Sequence, residues 1–471
     1  MTAVTEQDPQ RDARRRRTVA WVVSIATLGL IFDGYDLVVY GTVLPLFLKD
    51  PSQIGPVTPA LGGALGSYAL VGVLVGALLA GSVGDIIGRR KVMLTAYAWF
   101  AVGMGLTAML SSTGMFGLLR FITGLGVGAL VATTGALVAE FAPAGKKNLC
   151  NAITYSGVPI GSLLAALLAI ILLDLIGWRG MFWIGALPLV TLLPLAFFKM
   201  PESPAWLASR GRLDEAREIA ERTGMPVPAA PAAAQAAPDA EQATAAPTLA
   251  GQGAAGFAGL FGRDYWFATI VLGLMSAVGL ILVYALNTWL PELMGRAGYS
   301  TKGSLAFLLV LNGGAVIGAL IASRVADRFG PKPVVATSFL IGAVAIVLLT
   351  VSLPIAILLL FVAIVGLGTS GTQILIYGFV ANYYRTNVRG AGVAWCAGFG
   401  RLGGVAGPLI GGLLVASGLA LNAIFLVLAG MAIIGTLLTL LVPVARRRDL
   451  HPTLIEPTAA VAPGSQAAPT R

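Results

Sequence analysis

The chain has 471 residues, of which 57% are apolar and 11% charged, with a formal net charge of +10. Soluble domains carry about 25% charged residues, so a water-soluble fold of this length has nowhere to hide its apolar surface and is excluded. The single histidine, His451, and two cysteines, Cys150 and Cys396, outside any metal-ligand spacing, argue against a histidine relay, a catalytic triad and a zinc-type centre, so no metal or cofactor is expected.

Residues 1–17 form a basic tail ending in Arg14 to Arg17. A helix needs about 20 apolar residues to cross the hydrocarbon core. Twelve such stretches follow, at 18–48, 60–83, 91–111, 114–140, 149–176 and 178–199, then at 265–293, 303–325, 332–352, 354–381, 389–416 and 418–442. The first is too long for a signal peptide and flows into further spans. It also contains Asp33-Gly34-Tyr35-Asp36, where a bend or break is expected. Residues 200–264 begin with a charged stretch of helical character over Arg210–Arg222 and continue as an Ala/Pro-rich tract from Pro226 to Gly253. That composition builds no core and reads as a linker. It separates a six-helix bundle at 18–199 from another at 265–442, and residues 443–471 form a tail.

The basic residues sit in short clusters between apolar runs, such as Arg89-Arg90-Lys91 and Arg446 to Arg448. That placement fits topology signals rather than a nucleic-acid groove. With both termini in the cytoplasm, 25 of the 31 Lys and Arg residues face inward and 4 outward, while Arg120 and Arg401 lie inside the membrane. The expected fold is an all-α membrane protein of twelve transmembrane helices in two six-helix pseudo-repeats, both termini cytoplasmic, placed in a bacterial inner membrane.

The halves look alike under one shift of 242 positions: Asp85 falls on Asp327, Gly88 on Gly330, Gly124 and Gly126 on Gly366 and Gly368, and Gly161 on Gly403. The segment Gly81-Ser82-Val83-Gly84-Asp85-Ile86-Ile87-Gly88-Arg89-Arg90-Lys91 is placed in the turn after the second helix and recurs as Ser323–Lys332, with Pro331 where an arginine stood. Gly81 and Asp85 share a helix face, glycine admits a close neighbour, and Asp85 can accept from arginines or a helix N-terminus. This chemistry suits a cytoplasmic gate made of Gly81, Asp85, Gly88, Arg89 and Glu140 with Asp327, Arg328 and Arg389. The plainer reading is a basic turn placed by topology alone.

These motifs resemble the cytoplasmic-loop signature of the major facilitator superfamily. Pro201-Glu202-Ser203-Pro204-Ala205-Trp206-Leu207 resembles the segment after the sixth helix in that superfamily's sugar porters and organic-ion transporters, and Arg120-Phe121-Ile122-Thr123-Gly124-Leu125-Gly126-Val127-Gly128 its fourth-helix motif. Parallel six-helix repeats that hold substrate near the midplane are the build of such transporters. The tetrad Asp33-Gly34-Tyr35-Asp36, with Arg120, Glu140, Arg389 and Arg401, resembles the aromatic acid:proton symporter family. That resemblance implies import of a benzoate-like acid with protons, and importance for the aspartate pair and Arg401.

The residues argue in parallel. A charge at a helix centre costs about 2.5–3.5 kcal/mol. At ~1.5 Å per residue, Asp33 lies roughly 22 Å from the inner face, Arg120 roughly 9 Å from the outer end and Arg401 roughly 18 Å from the inner end. In a core of about 30 Å these depths coincide around one midplane cavity. Two carboxylates three residues apart resist ionising together, so Asp33 or Asp36 is the expected proton carrier. Arg120 either pairs with an aspartate when no proton is bound, or makes a structural ion pair with Asp33. Arg401, a permanent planar cation, is expected to hold the substrate carboxylate, or else serves packing or a water-lined pore. Tyr35, Tyr40, Tyr284, Tyr377, Trp395 and Phe399 are candidate ring contacts, with Asn287, Asn312 and Gln373 as readers of ring hydroxyls. Each of these also fits an ordinary packing role.

The other transporter readings are export or antiport and import of a different organic anion. Gly403–Gly412 resembles the antiporter Gly-Pro motif, which belongs in the fifth helix, whereas here it falls in the eleventh. No phosphate loop, metal cluster or catalytic dyad supports an enzyme. The expected partners are a small aromatic carboxylate, protons and the bilayer, with no nucleic acid, and the expected state is a monomer.

Overall fold

The computed structural model describes residues 9–143, 146–226, 257–263 and 265–443. Every regular element among them is helical. The first group comprises α1 (Pro9–Lys49), α2 (Pro59–Ile87), α3 (Arg89–Ala108), α4 (Thr113–Phe141), α5 (Lys147–Tyr155), α6 (Gly157–Gly185) and α7 (Leu192–Lys199), followed by the short α8 (Pro204–Ser209) and α9 (Leu213–Thr223). The second comprises α10 (Phe257–Leu260), α11 (Trp266–Arg296), α12 (Thr301–Phe329), α13 (Pro331–Leu348), α14 (Ile355–Gly366), a π-helical turn at Leu367–Gly371, α15 (Thr372–Tyr383), α16 (Thr386–Ala416) and α17 (Leu421–Leu441). The Ala/Pro tract and the C-terminal tail expected from sequence lie outside the described residues, apart from Pro226 and the tail's first residue, Pro443.

Among the described residues, ten helices are long and apolar enough to cross a membrane. Their outer faces carry exposed Leu78, Leu175, Ile317 and Leu437, as expected where the solvent is lipid. Two of the twelve expected stretches are not among the ten. In α3 the apolar residues are diluted by Arg89, Arg90 and Lys91. Residues 178–199 are interrupted between Gly185 and Leu192, with a 3₁₀ turn at Leu187–Leu189 around Pro188. Even so, that second stretch runs back alongside α3 from Gly177, whose φ of 65° breaks α6. Arg179 donates to the Leu110 carbonyl at 3.2 Å, Trp183 lies against Gly105, and Arg90 donates to the Phe197 carbonyl at 2.6 Å.

Three boundaries differ from the sequence reading. Residues 9–17 of the basic tail are helical: α1 begins at Pro9, and Arg11 and Thr18 donate to the carbonyls of Met225 (3.1 Å) and Thr223 (3.2 Å) at the end of α9. The expected break at Asp33–Asp36 is absent, since α1 stays helical through the tetrad and its backbone needs no external partner there. The gate motif lies mostly within α2, which continues to Ile87, and the turn itself is Gly88 at φ 101°.

The shift of 242 holds at the level of elements. Pro59–Ile87 maps onto Thr301–Phe329, and Thr113–Phe141 maps onto Ile355–Tyr383. Gly88 and its counterpart Gly330 make the same turn, with φ 101° and 88° and ψ 152° and 153°. A side chain at Gly72 would strike the backbone of Phe121, and one at Gly124 the backbone of Ala69. At the equivalent Gly314 and Gly366 it would strike Ala363 and Leu311. Small residues let each helix pair approach backbone to backbone, which supplies the packing that lipid cannot drive.

The end where α1 begins is taken here as basal. The two groups meet at the far end. Gly41 abuts the Asn287 backbone, and Gly63 abuts Pro408 and Gly412. Ser67 donates to the Val405 carbonyl at 2.7 Å, and Lys302 pairs with Asp174 at 3.2 Å. Toward the base, Gly378, Gly390 and Gly398 face open space.

Replacing Gly124 by Leu forces α2 from α4 and should lower stability by about 1–3 kcal/mol. Thermal melting of the detergent-solubilised protein should show that drop, and Gly378→Leu, which meets no neighbour, should melt within about 0.5 kcal/mol of the parent.

Candidate functional site

Three of the four intramembrane charges come from two helices packed in the first group. Asp36 on α1 and Arg120 on α4 are buried at 5% and 3% exposure and form an ion pair. Arg120 lies over the rings of Tyr40 (5.5 Å) and Phe182 (6.0 Å), so aromatic faces take up part of the cost of burying the cation. Its partner is Asp36 and not Asp33. One turn of α1 separates the two carboxylates, and that turn points Asp36 at α4.

Asp33 is half-buried and, among the described residues, makes no hydrogen bond or ion pair. It interacts electrostatically with Asp36 and, across the division between the two groups, with Arg401 on α16. Arg401 is likewise half-buried, with no ion pair within 4 Å among the described residues. Both sit just beneath the far-end closure: Arg401 is one turn before Val405, and Asp33 two turns, or about 12 Å, before Gly41. A carboxylate and a guanidinium, one from each group, therefore interact across the cleft, the division between the two groups.

Tyr284 on α11 and Tyr377 on α15 line the same region. Tyr284 interacts with Asp33, Arg401 and Tyr377, and its ring rests on Gly404 of α16. Tyr377 approaches Gln373, Ser276 and Arg401. Gln373 donates to the Ser276 hydroxyl at 3.0 Å and keeps Oε1 buried without a partner. The π turn at Leu367–Gly371 immediately precedes Gln373 and re-aims this face of the helix. Trp395 stacks on Phe399 at 5.3 Å while its indole donates to the Thr269 carbonyl.

Other expected contacts are engaged with protein partners. Tyr35 donates to the Met181 carbonyl at 2.7 Å and Tyr40 to the Gly62 carbonyl at 2.6 Å. Asn287 accepts from Asn312 at 2.9 Å, a buried link between α11 and α12. Sequence reasoning passed over Tyr155, at the end of α5, which interacts with Arg401, Asp33 and Tyr377. Its signal was a lone aromatic beside Ser156-Gly157, where α5 gives way to α6.

At the base, Arg89 reaches Glu140 at 3.4 Å. The Glu202 carboxylate accepts from the Arg90 amide at 3.1 Å and packs on Gly88. A cavity of about 360 Å³ lined by Arg89, Glu140, Trp206 and Arg210 lies here, remote from Arg401. Gly81, Asp327, Arg328 and Arg389 are exposed, with Arg328 over Phe329 at 5.5 Å. The side chain of Asp85 falls outside the described residues. The Gly403–Gly412 run packs α16 on α11 and α2.

A family model described as sugar (and other) transporter matches residues 22–446. The benzoate transport protein of Acinetobacter baylyi is 35% identical over 443 residues, 93% of this chain and 92% of the relative. The gentisate transporter of Corynebacterium glutamicum is 34% identical, over 88% of this chain and 85% of the relative. Among solved structures, the inward open conformation of the xylose transporter XylE from E. coli superposes with a TM-score of 0.69 at 16% identity, covering 92% of this chain and 99% of that one.

Asp36→Asn leaves Arg120 as an uncompensated buried cation and should cost about 3–5 kcal/mol, read as a lower melting midpoint in detergent. Adding Arg120→Gln should recover more than half of that loss, because the second change removes the orphaned charge.

Proposed function

The chain belongs to the sugar (and other) transporter family of the major facilitator superfamily, and from that premise we propose that it imports an aromatic carboxylate together with protons by alternating access. It is a multi-pass membrane transporter and not an enzyme. The proposal extends to twelve membrane passes, α3 and residues 178–199 completing the ten. It places both termini in the cytoplasm of a bacterial inner membrane, with the protein working as a monomer. In that orientation the basal end faces inward, and the contacts at Gly41, Gly63 and Ser67 close the outward side.

The observation that carries the reading is the facing pair Asp33 and Arg401. A guanidinium presents a planar fork that matches a carboxylate. While Asp33 is ionised it competes with a substrate carboxylate for Arg401. Protonating Asp33 removes the competitor, so substrate and proton favour one another's binding, which is the linkage a symporter needs. Loss of the proton to the cytoplasm restores the competition and helps expel the substrate. Asp36, already committed to Arg120, is left out of the cycle. Tyr284 and Tyr377 supply ring faces for an aromatic body, and the benzoate and gentisate relatives support that substrate class.

Labelled benzoate and gentisate uptake into vesicles with an imposed inward proton gradient tests this. Asp33→Asn should abolish gradient-driven accumulation while sparing exchange of substrate for substrate. Arg401→Ala should weaken binding about 10–100-fold, the loss of charge-assisted hydrogen bonds. Gradient-driven accumulation that persists in Asp33→Asn would sink the assignment of the proton to this residue.

A further inference from the structure

The facing pair is asymmetric. Arg401 gives the second group a strong anion ligand, while the first group offers Asp33, which repels an anion unless protonated. A substrate held by Arg401 alone would bind one group and give the other no reason to close over it. Tyr155 fills this gap. It belongs to the first group, at the end of α5, yet it interacts with Arg401 and Tyr377 of the second as well as with Asp33 of its own. The residue is 41% exposed. Among the described residues its hydroxyl makes one hydrogen bond, a long one to the Val131 carbonyl at 3.5 Å. It also lies against Gly135, where any larger residue would collide with it. The donor is thus held in place on α4 and weakly engaged. By contrast, the hydroxyls of Tyr35, Tyr40 and Tyr97 are committed to carbonyls at 2.7, 2.6 and 3.1 Å.

We propose that the Tyr155 hydroxyl is the first group's ligand for the substrate carboxylate, which lies between it and Arg401. This rests on the aromatic-carboxylate reading above and adds a substrate-binding residue to it. One carboxylate oxygen accepts from the guanidinium and the other from the phenol. The substrate then bridges α5 and α16 and draws the two groups together at the base. Protonated Asp33 stands beside this bridge without opposing it.

Benzoate and gentisate are the probes, with benzamide as the uncharged control, on the full chain in detergent and in vesicles. Tyr155→Phe keeps the ring and its packing. It should raise Kd and KM for the tightest-binding acid about tenfold, leave kcat within about twofold, and leave the pH of half-maximal driven uptake unmoved. The advantage of acid over benzamide as a competitor should shrink by the same factor. A residue that merely packs would lower the melting midpoint or kcat and leave the acid-to-amide preference intact, and that result overturns the assignment. An unchanged Kd in Tyr155→Phe, with the parent binding acid, also overturns it and leaves the proposed function standing. Absence of acid binding by the parent removes the proposed function and this assignment together.

Discussion

The buried pair of Asp36 and Arg120 is the tie on which the first group depends. In hydrocarbon, helices gain little from apolar contact with one another, and they associate through close backbone approach and polar links. Two such close couples exist here: α2 with α4 through Gly72 and Gly124, and α1 with α6 through Gly34 and Gly161. The ion pair joins one couple to the other. Among the described residues neither charge has a second ion-pair partner, so the tie holds only while both are present.

The second group answers the same need differently. Val362 stands where the internal repeat would put an arginine. Its couples, α12 with α14 and α11 with α16, are joined by neutral amides: Asn312 to Asn287, and Gln373 on α15 to Ser276. The repeat therefore conserves the backbone approach and not the polar cross-link. Arg401, on α16, has no ion pair within 4 Å among the described residues, whereas Arg120 is paired within its own group.

Much of this was legible in the chain. Apolar stretches near 20 residues, the shift of 242 and the four intramembrane charges each follow from composition and spacing, and the structure places α2, α4, α12 and α14–α15 on that shift. Which aspartate Arg120 takes was not legible, because residues three apart differ only in the rotation of α1 relative to α4. The unbroken course of α1 was hidden because a polar tetrad resembles a helix interruption, whereas its polar atoms are side chains that turn inward. The π turn in Leu367–Gly371 leaves no mark beyond small residues. Tyr155 was passed over because a single aromatic near a helix junction has no periodicity to betray it.

The connection between the groups has a mechanical consequence. The helix that opens it, α9, is fastened to α1 through Arg11 and Thr18, and the short α10 that closes it is fastened to α11, where Thr269 donates to the Leu260 carbonyl at 2.9 Å. Each half thus holds its own end of the connection by hydrogen bonds. The thirty residues between Pro226 and Phe257 have a contour length of about 100 Å at full extension. On the alternating-access reading proposed above, the peptide that joins the halves does not limit their movement, and the far-end contacts at Gly41 and Gly63 are the place for a pivot.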